Sequence, residues 1–346
     1  MIKVEKYGVI LSATEKEFEN KGVLNPGVYQ EGETVHLLYR AIGEGSFSSI
    51  GYAKTKGALK IVDRQGHPLI VPKEKYESHG IQDARIVKIE DIYYITYGAY
   101  DGINSMGVLA TTKDLVHFEK HGVITPRFNY EEYKRCITNE KNAGLNPKYL
   151  YYYNLFSEIG IISDENRLLS IKDVTLFPRK INGKFAMLIG IWPGIQIVYF
   201  DDFADLTKEF WTNYLENLID YVVLDPKSIF EVNHMGVGGP PLETDEGWVL
   251  IYYGVQETTS GKNYSAKCAL LNIDHPEIEI ARLDYPILAP TKLWEKSKRA
   301  DAIIIPSGHA LFGDDLYIYY GAADKSIAVA KLQLHELLDE LRKSKK

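Results

Sequence analysis

The chain has 346 residues, 45% of them hydrophobic and 12% aromatic, with a formal charge of −7 and an isoelectric point near 5.8. That length and apolar content can bury a large core, and the net negative charge argues against a polyanionic partner such as nucleic acid. Two cysteines, Cys136 and Cys268, exclude a disulfide framework and a cysteine-built metal site by count; no apolar run reaches membrane-spanning length and the first twenty residues lack a signal-peptide core, so the expected setting is cytoplasmic.

In chain order, one phrase recurs five times: a polar or glycine-rich start, a strand, a tight turn, and an apolar-aromatic strand. The copies run over residues 25–39, 83–97, 173–189, 239–253 and 306–320, each followed by a third β-rich segment, at 49–53, 106–110, 195–200, 266–271 and 326–330. Hairpin turns are expected at Glu31-Gly32, Glu90-Asp91, Asn182-Gly183, Glu246-Gly247 and Gly313-Asp314. Three strands per copy with room for a fourth predict an all-β, five-bladed β-propeller forming one domain over 1–346. An insertion over 127–170, rich in Tyr and charge, suits a lid or an oligomer contact. The tail at 332–346 spaces Leu334, Leu337, Leu338 and Leu341 as one face of a short terminal helix.

Equivalent loops of such repeats converge, so residues at matching offsets should meet. Asn25 and Asp83 stand fourteen residues before the closing Tyr of their copies, and Asp173 lies near that point beside Lys172. Just after the phrase come Arg40, Asp101, Trp192, Gln256 and Asp324. Carboxylates, an Arg, an amide and an aromatic platform suit a neutral polyhydroxylated ligand, although any one Asp could merely cap a turn. The nine His residues are scattered along the chain, so no metal site is expected, and Gly236-Val-Gly-Gly239 precedes a strand and fails as a phosphate loop.

Several blocks, in order, resemble glycoside hydrolase family 130, the β-mannoside phosphorylases and related β-mannosidases, which are five-bladed propellers. They are Asn25-Pro26, Leu38-Tyr-Arg-Ala41, Gly80-Ile-Gln-Asp-Ala-Arg85, Lys172-Asp173, Leu176-Phe-Pro-Arg-Lys-Ile-Asn-Gly-Lys184, Pro241-Leu-Glu-Thr-Asp-Glu-Gly-Trp248 and Tyr320-Gly-Ala-Ala-Asp324. The resemblance implies an enzyme that cleaves β-mannosides with inversion. It makes Asp83 the general acid, acting through a sugar hydroxyl, and puts Asn25, Arg40, Arg85 and Asp101 around the mannosyl unit. It also places Lys172, Asp173, His234, Tyr253 and Asp324 at the substrate or phosphate. No cofactor is implied; inorganic phosphate is the co-substrate if the enzyme is a phosphorylase, and the partner is an oligosaccharide.

The departures shape the expected chemistry. The family's Glu-Asp-Pro-Arg is Gln82-Asp-Ala-Arg85 here, its phosphate-holding Arg is Gly190, its Lys is His234, and a His is Tyr253. Because a phosphate dianion in a partly dry pocket needs paired cations, these losses favour hydrolysis. The alternatives are a mannoside phosphorylase releasing mannose 1-phosphate, or a carbohydrate-binding propeller without catalysis. Glu231, Glu243 and Glu257 are the nearby candidates to activate water. An arabinanase- or fructosidase-type propeller is disfavoured because the Asn-Asp-Pro-Asn-Gly block is absent.

Overall fold

The computed structural model describes residues 2–158, 160, 166–259, 261–297 and 301–345. Strand β1 (Glu5–Leu11) is followed by an antiparallel group β2 (Gly22–Glu31), β3 (Thr34–Ile42), β4 (Ser48–Lys56) and β5 (Lys60–Arg64). The second group is β6 (Ile81–Ile89), β7 (Ile92–Tyr100), β8 (Ser105–Thr112) and β9 (Glu119–Val123). Helices α1 (Tyr130–Ile137) and α2 (Lys148–Glu158) come next, then the third group, β10 (Val174–Leu176), β11 (Phe185–Ile189), β12 (Ile195–Phe200) and β13 (Val222–Leu224), with α3 (Lys208–Glu216) inside it. The fourth group is β14 (Met235–Val237), β15 (Leu242–Thr244), β16 (Gly247–Thr258), β17 (Gly261–Leu271) and β18 (Glu279–Arg282). The last is β19 (Ala302–Phe312), β20 (Asp315–Ala322) and β21 (Ser326–Gln333), before α4 (Leu334–Lys343). β1 pairs with β21, and a short parallel contact of β17 with β19 merges the last two groups into one nine-stranded sheet.

Buried clusters fill the spaces between successive groups. Ile50, Ile86 and Ile95 lie between the first and second, and Val28, Leu37, Tyr319 and Val329 between the first and last. Leu188, Ile197, Trp248 and Leu250 join the third to the fourth, and Val249, Cys268, Ile318 and Ala330 the fourth to the last. Glycine permits the closest approaches: a Cβ on Gly27 would stand 2.7 Å from the Ala84 carbonyl oxygen, and one on Gly308 would stand 2.4 Å from Val28.

The second, third and fifth hairpin turns stand where the repeat places them; the first is Gly32-Glu33, with Glu31 paired to Thr34, one residue later than expected, and the fourth is Asp245-Glu246, with Thr244 paired to Gly247, one residue earlier. The insert differs more. Instead of a free lid it contributes Tyr130, Tyr133, Cys136, Ile137, Tyr149 and Tyr153 to a cluster with Val174, Leu176 and Met187 of the third group. Asn129 and Glu132 form a reciprocal cap that starts α1. Residues 159 and 161–165 of the insert lie outside the described residues. The terminal helix is present, with Leu337 and Leu341 buried; Leu332 belongs to β21, and Lys346 lies outside the described residues. Among the described residues no helix is long and apolar enough to cross a membrane.

Four groups share an anchor. Glu19, Glu77, Glu231 and Glu295 each close a short 3-10 turn and are fully buried. They accept hydrogen bonds from Tyr39, Tyr97, Tyr252 and Tyr320 at 2.7, 2.9, 2.5 and 2.9 Å. Each faces a cation, Arg64, Lys120, Lys267 and Lys6 respectively. In the third group the tyrosine comes from α2: Tyr149 donates to Asp225 at 3.0 Å and accepts from Gln196 at 2.8 Å.

Candidate functional site

Two irregular backbones aim the central side chains. The β2–β3 register shifts between Leu24 and Gly27, and the β6–β7 register shifts between Gln82 and Arg85. Within these bulges Asn25 and Asp83 take φ of +48° and +56°, a left-handed conformation that costs a non-glycine residue of order 1–3 kcal/mol. A bulge turns one residue out of the strand's alternation, so equivalent positions of two repeats are directed at each other. Asn25 Nδ2 donates to Asp83 Oδ1 at 2.8 Å, and both residues are buried. Asp324, also left-handed at +53°, follows β20; Asn25 packs over Gly321 at that strand's end, where a Cβ would stand 1.9 Å from Asn25 Oδ1.

Cations surround this carboxylate. Lys172 Nζ lies 3.9 Å from Asp83 Oδ2 and is half-exposed. Burial disfavours the charged form of Asp83, but Lys172, Arg40, Arg85 and the Asn25 amide outweigh it and hold the carboxyl below its usual range. Asp324 moves the other way. Water reaches its side chain, but protein surrounds it on most sides, and that desolvation, with the Asp83 charge, pushes its carboxyl up against the pull of Lys172 and Arg40. Two carboxyls in one field thus separate in proton affinity.

Arg85 does not reach outward as a sugar ligand should. It is 2% exposed, and it donates from Nε to the Gly238 carbonyl at 2.6 Å and from Nη1 to the carbonyls of Asp83 and Ala84 at 3.1 and 3.0 Å. It fixes the bulge and ties β6 to the fourth group. Arg40 is half-buried and its Nε has no hydrogen-bond partner. Tyr253 donates to Asp173 Oδ2 at 2.6 Å.

His234 is not the cation that a phosphate cradle would want. Its ring stacks on Trp192 with centroids 4.0 Å apart, and burial, with the charges of Lys262 and Lys172, lowers its pKa to about 3. Asn233 Nδ2 donates to Glu257, so Asn233 Oδ1 faces His234 Nδ1 and selects the neutral tautomer protonated there. Asp101 also departs from expectation. Its Oδ1 accepts from the backbone N–H groups of Ile103 and Asn104 at 2.8 and 2.6 Å, and Oδ2 from the Asn104 amide. The carboxylate caps its own turn.

Of the glutamates considered for water activation, Glu231 belongs to a buried anchor, Glu243 pairs with Arg179 on the surface, and Glu257 holds Asn233. Tyr264 was not anticipated: its ring lies 6.3 Å from that of His234 and 6.1 Å from that of Tyr253, a placement implied by the pairing of Val255 with Tyr264. Among the described residues no group of three or more His, Cys, Asp or Glu side chains could hold a metal ion.

Comparison with known proteins fits this recess. The model of the glycoside hydrolase family 130 group described as beta-1,4-mannooligosaccharide phosphorylase matches residues 10–161 and 152–343. The chain is 30% identical, over 97% of its length and 99% of the relative's, to 1,2-beta-oligomannan phosphorylase of Thermoanaerobacter sp. strain X514. It is 29% identical to a beta-1,2-mannobiose phosphorylase of the same organism, over 92% of each chain. Its fold is similar to the solved beta-1,2-mannobiose phosphorylase of Listeria innocua, with a TM-score of 0.71 and 22% identity over 99% of both chains. Fold and recess are those of a carbohydrate-active enzyme. The chain belongs to glycoside hydrolase family 130.

Proposed function

We propose that this protein is an inverting β-mannoside phosphorylase acting on β-1,2-linked manno-oligosaccharides, with Asp83 as its general acid. The observation that carries the reading is the half-satisfied carboxylate of Asp83, bonded by Asn25 on one oxygen and facing Lys172 at 3.9 Å on the other. The Asp83 proton passes to a hydroxyl of the bound mannosyl unit, whose own proton goes to the glycosidic oxygen as the C–O bond breaks. A phosphate oxygen attacks the anomeric carbon from the opposite face, which inverts it and releases α-mannose 1-phosphate.

In the free enzyme Lys172 favours the ionised acid. A phosphate dianion beside Lys172 offsets that charge and raises the proton affinity of Asp83, so proton and phosphate bind cooperatively. The circular order of neighbours, first group beside second and last, fourth beside last and third, supports reading the five groups as blades of one propeller. The named activities of the relatives support phosphate over water as acceptor.

Hydrolysis is the second reading, favoured by the neutral His234 and by Gly190, which supplies no side chain. Incubation with β-1,2-mannobiose at varied phosphate distinguishes them. Phosphate-dependent release of α-mannose 1-phosphate is expected. Free mannose at a phosphate-independent rate means hydrolysis, and tight binding without turnover means a binding protein.

A further inference from the structure

The loss of side chain at Gly190 and of charge at His234 removes two cations from a phosphate site, and the β16–β17 hairpin offers a replacement for one of them. Along this hairpin Tyr253 pairs with Ala266, Val255 with Tyr264, and Glu257 with Lys262. Alternate residues of paired strands share a face, so Lys262 projects on the same side as Tyr264 and Tyr253. That side looks on His234, whose ring lies 6.3 Å from both tyrosines. Lys262 is two residues from Tyr264, about 7 Å along the strand, within the reach of its own stem from the imidazole.

Its partners are informative. The Lys262 backbone N–H donates to Asp301 Oδ1 at 2.8 Å, which fixes the main chain. The ammonium makes no hydrogen bond or ion pair among the described residues, although Glu257, which accepts from Asn233 Nδ2 at 2.6 Å, stands opposite. Lys172, the other cation near His234, stands 3.9 Å from Asp83. Burial first, and then the charges of both lysines, keep His234 neutral. Gly190 is buried, yet nothing lies within 4 Å of where its Cβ would be, so open space adjoins Trp192.

We propose that Lys262 is the second cation of the phosphate site, and that inorganic phosphate binds between the Lys262 and Lys172 ammonium groups over the His234 ring. This rests on the phosphorolytic reading. Two separated ammonium groups balance the dianion's charge, and an uncharged imidazole between them adds no further charge to the site.

Initial rates on β-1,2-mannobiose at varied phosphate test it with the wild type, Lys262→Met and Lys262→Arg. The expected result is a phosphate KM raised about tenfold or more in Lys262→Met, a mannobiose KM changed by less than about twofold, and recovery to within about threefold in Lys262→Arg. Lys262→Gln replaces the cation with an uncharged polar group and reads the same quantity if the methionine variant does not fold. An unchanged phosphate KM in a wild type and variant that both make mannose 1-phosphate overturns the assignment of Lys262 alone. Phosphate-independent release of mannose by the wild type overturns the assignment together with the reading beneath it.

Discussion

Glu77 and Asp83 are six residues apart, both buried, and both held below the usual carboxylate range, yet their surroundings differ in kind. Glu77 is saturated: Oε2 accepts from the N–H groups of Lys73 and Glu74 and from Lys120 Nζ at 2.7, 3.1 and 2.5 Å, and Oε1 accepts from Tyr97. Asp83 has one amide at 2.8 Å and one lysine at 3.9 Å, beyond hydrogen-bonding distance. Charge and burial alone do not separate a structural acid from a reactive one. What separates them is an oxygen left with room for a proton and a ligand.

The sharpest way to break this comparison is to remove each acid. Asp83→Asn is expected to lower turnover about 10³-fold with an unchanged circular dichroism spectrum, and steady-state kinetics with mannobiose and phosphate checks it. Removing a saturated acid should do the reverse. Glu231→Ala leaves Lys267 buried without its counter-charge, so denaturant unfolding should show a loss of about 3–5 kcal/mol, while the activity of the folded fraction is retained.

Acid titration sharpens the contrast further. His234 is neutral in the folded state down to about pH 3 but protonates near 6.5 when unfolded. Its contribution is complete above pH 6.5 and is lost as pH falls from there toward 3, because the unfolded state binds the extra proton. In unfolding curves between pH 5 and 4 the wild type should lose up to about 1.4 kcal/mol per pH unit more than His234→Gln. A parallel slope in the two proteins removes the case for a neutral imidazole. The smallest effect belongs to Asp101→Ala: about 1 kcal/mol of stability from the lost turn bonds, with the KM for mannobiose changed by less than about twofold.

The repeat was legible because a strand, a tight turn and an aromatic strand recur at matching offsets, and the same offsets paired Asn25 with Asp83. Nothing in composition announced the bulges that make the pair meet. Asp101 was ambiguous by nature, since an Asp after a strand caps turns as readily as it binds hydroxyls. The insert read as a lid because Tyr and charge dominate it, but Tyr130, Tyr133 and Ile137 already mark one buried helical face. The anchors left a sequence trace that was overlooked: Phe18-Glu19, Tyr76-Glu77, Phe230-Glu231 and Trp294-Glu295 place an aromatic residue directly before each buried acid. Lys262 could be found only from strand register, because a lone lysine near a hairpin looks like solvated surface.

One feature of the topology bears on how the molecule is made. Strand β1 finds its partner in β21, far along the chain, with Glu5 opposite Lys331. During translation its hydrogen-bonding edge must wait until β21 has emerged, exposed to the pairing errors that an unmatched strand invites. The β1–β21 seam is therefore a late stitch of assembly, and a place where a nascent chain is open to capture by a chaperone or by a second copy of itself.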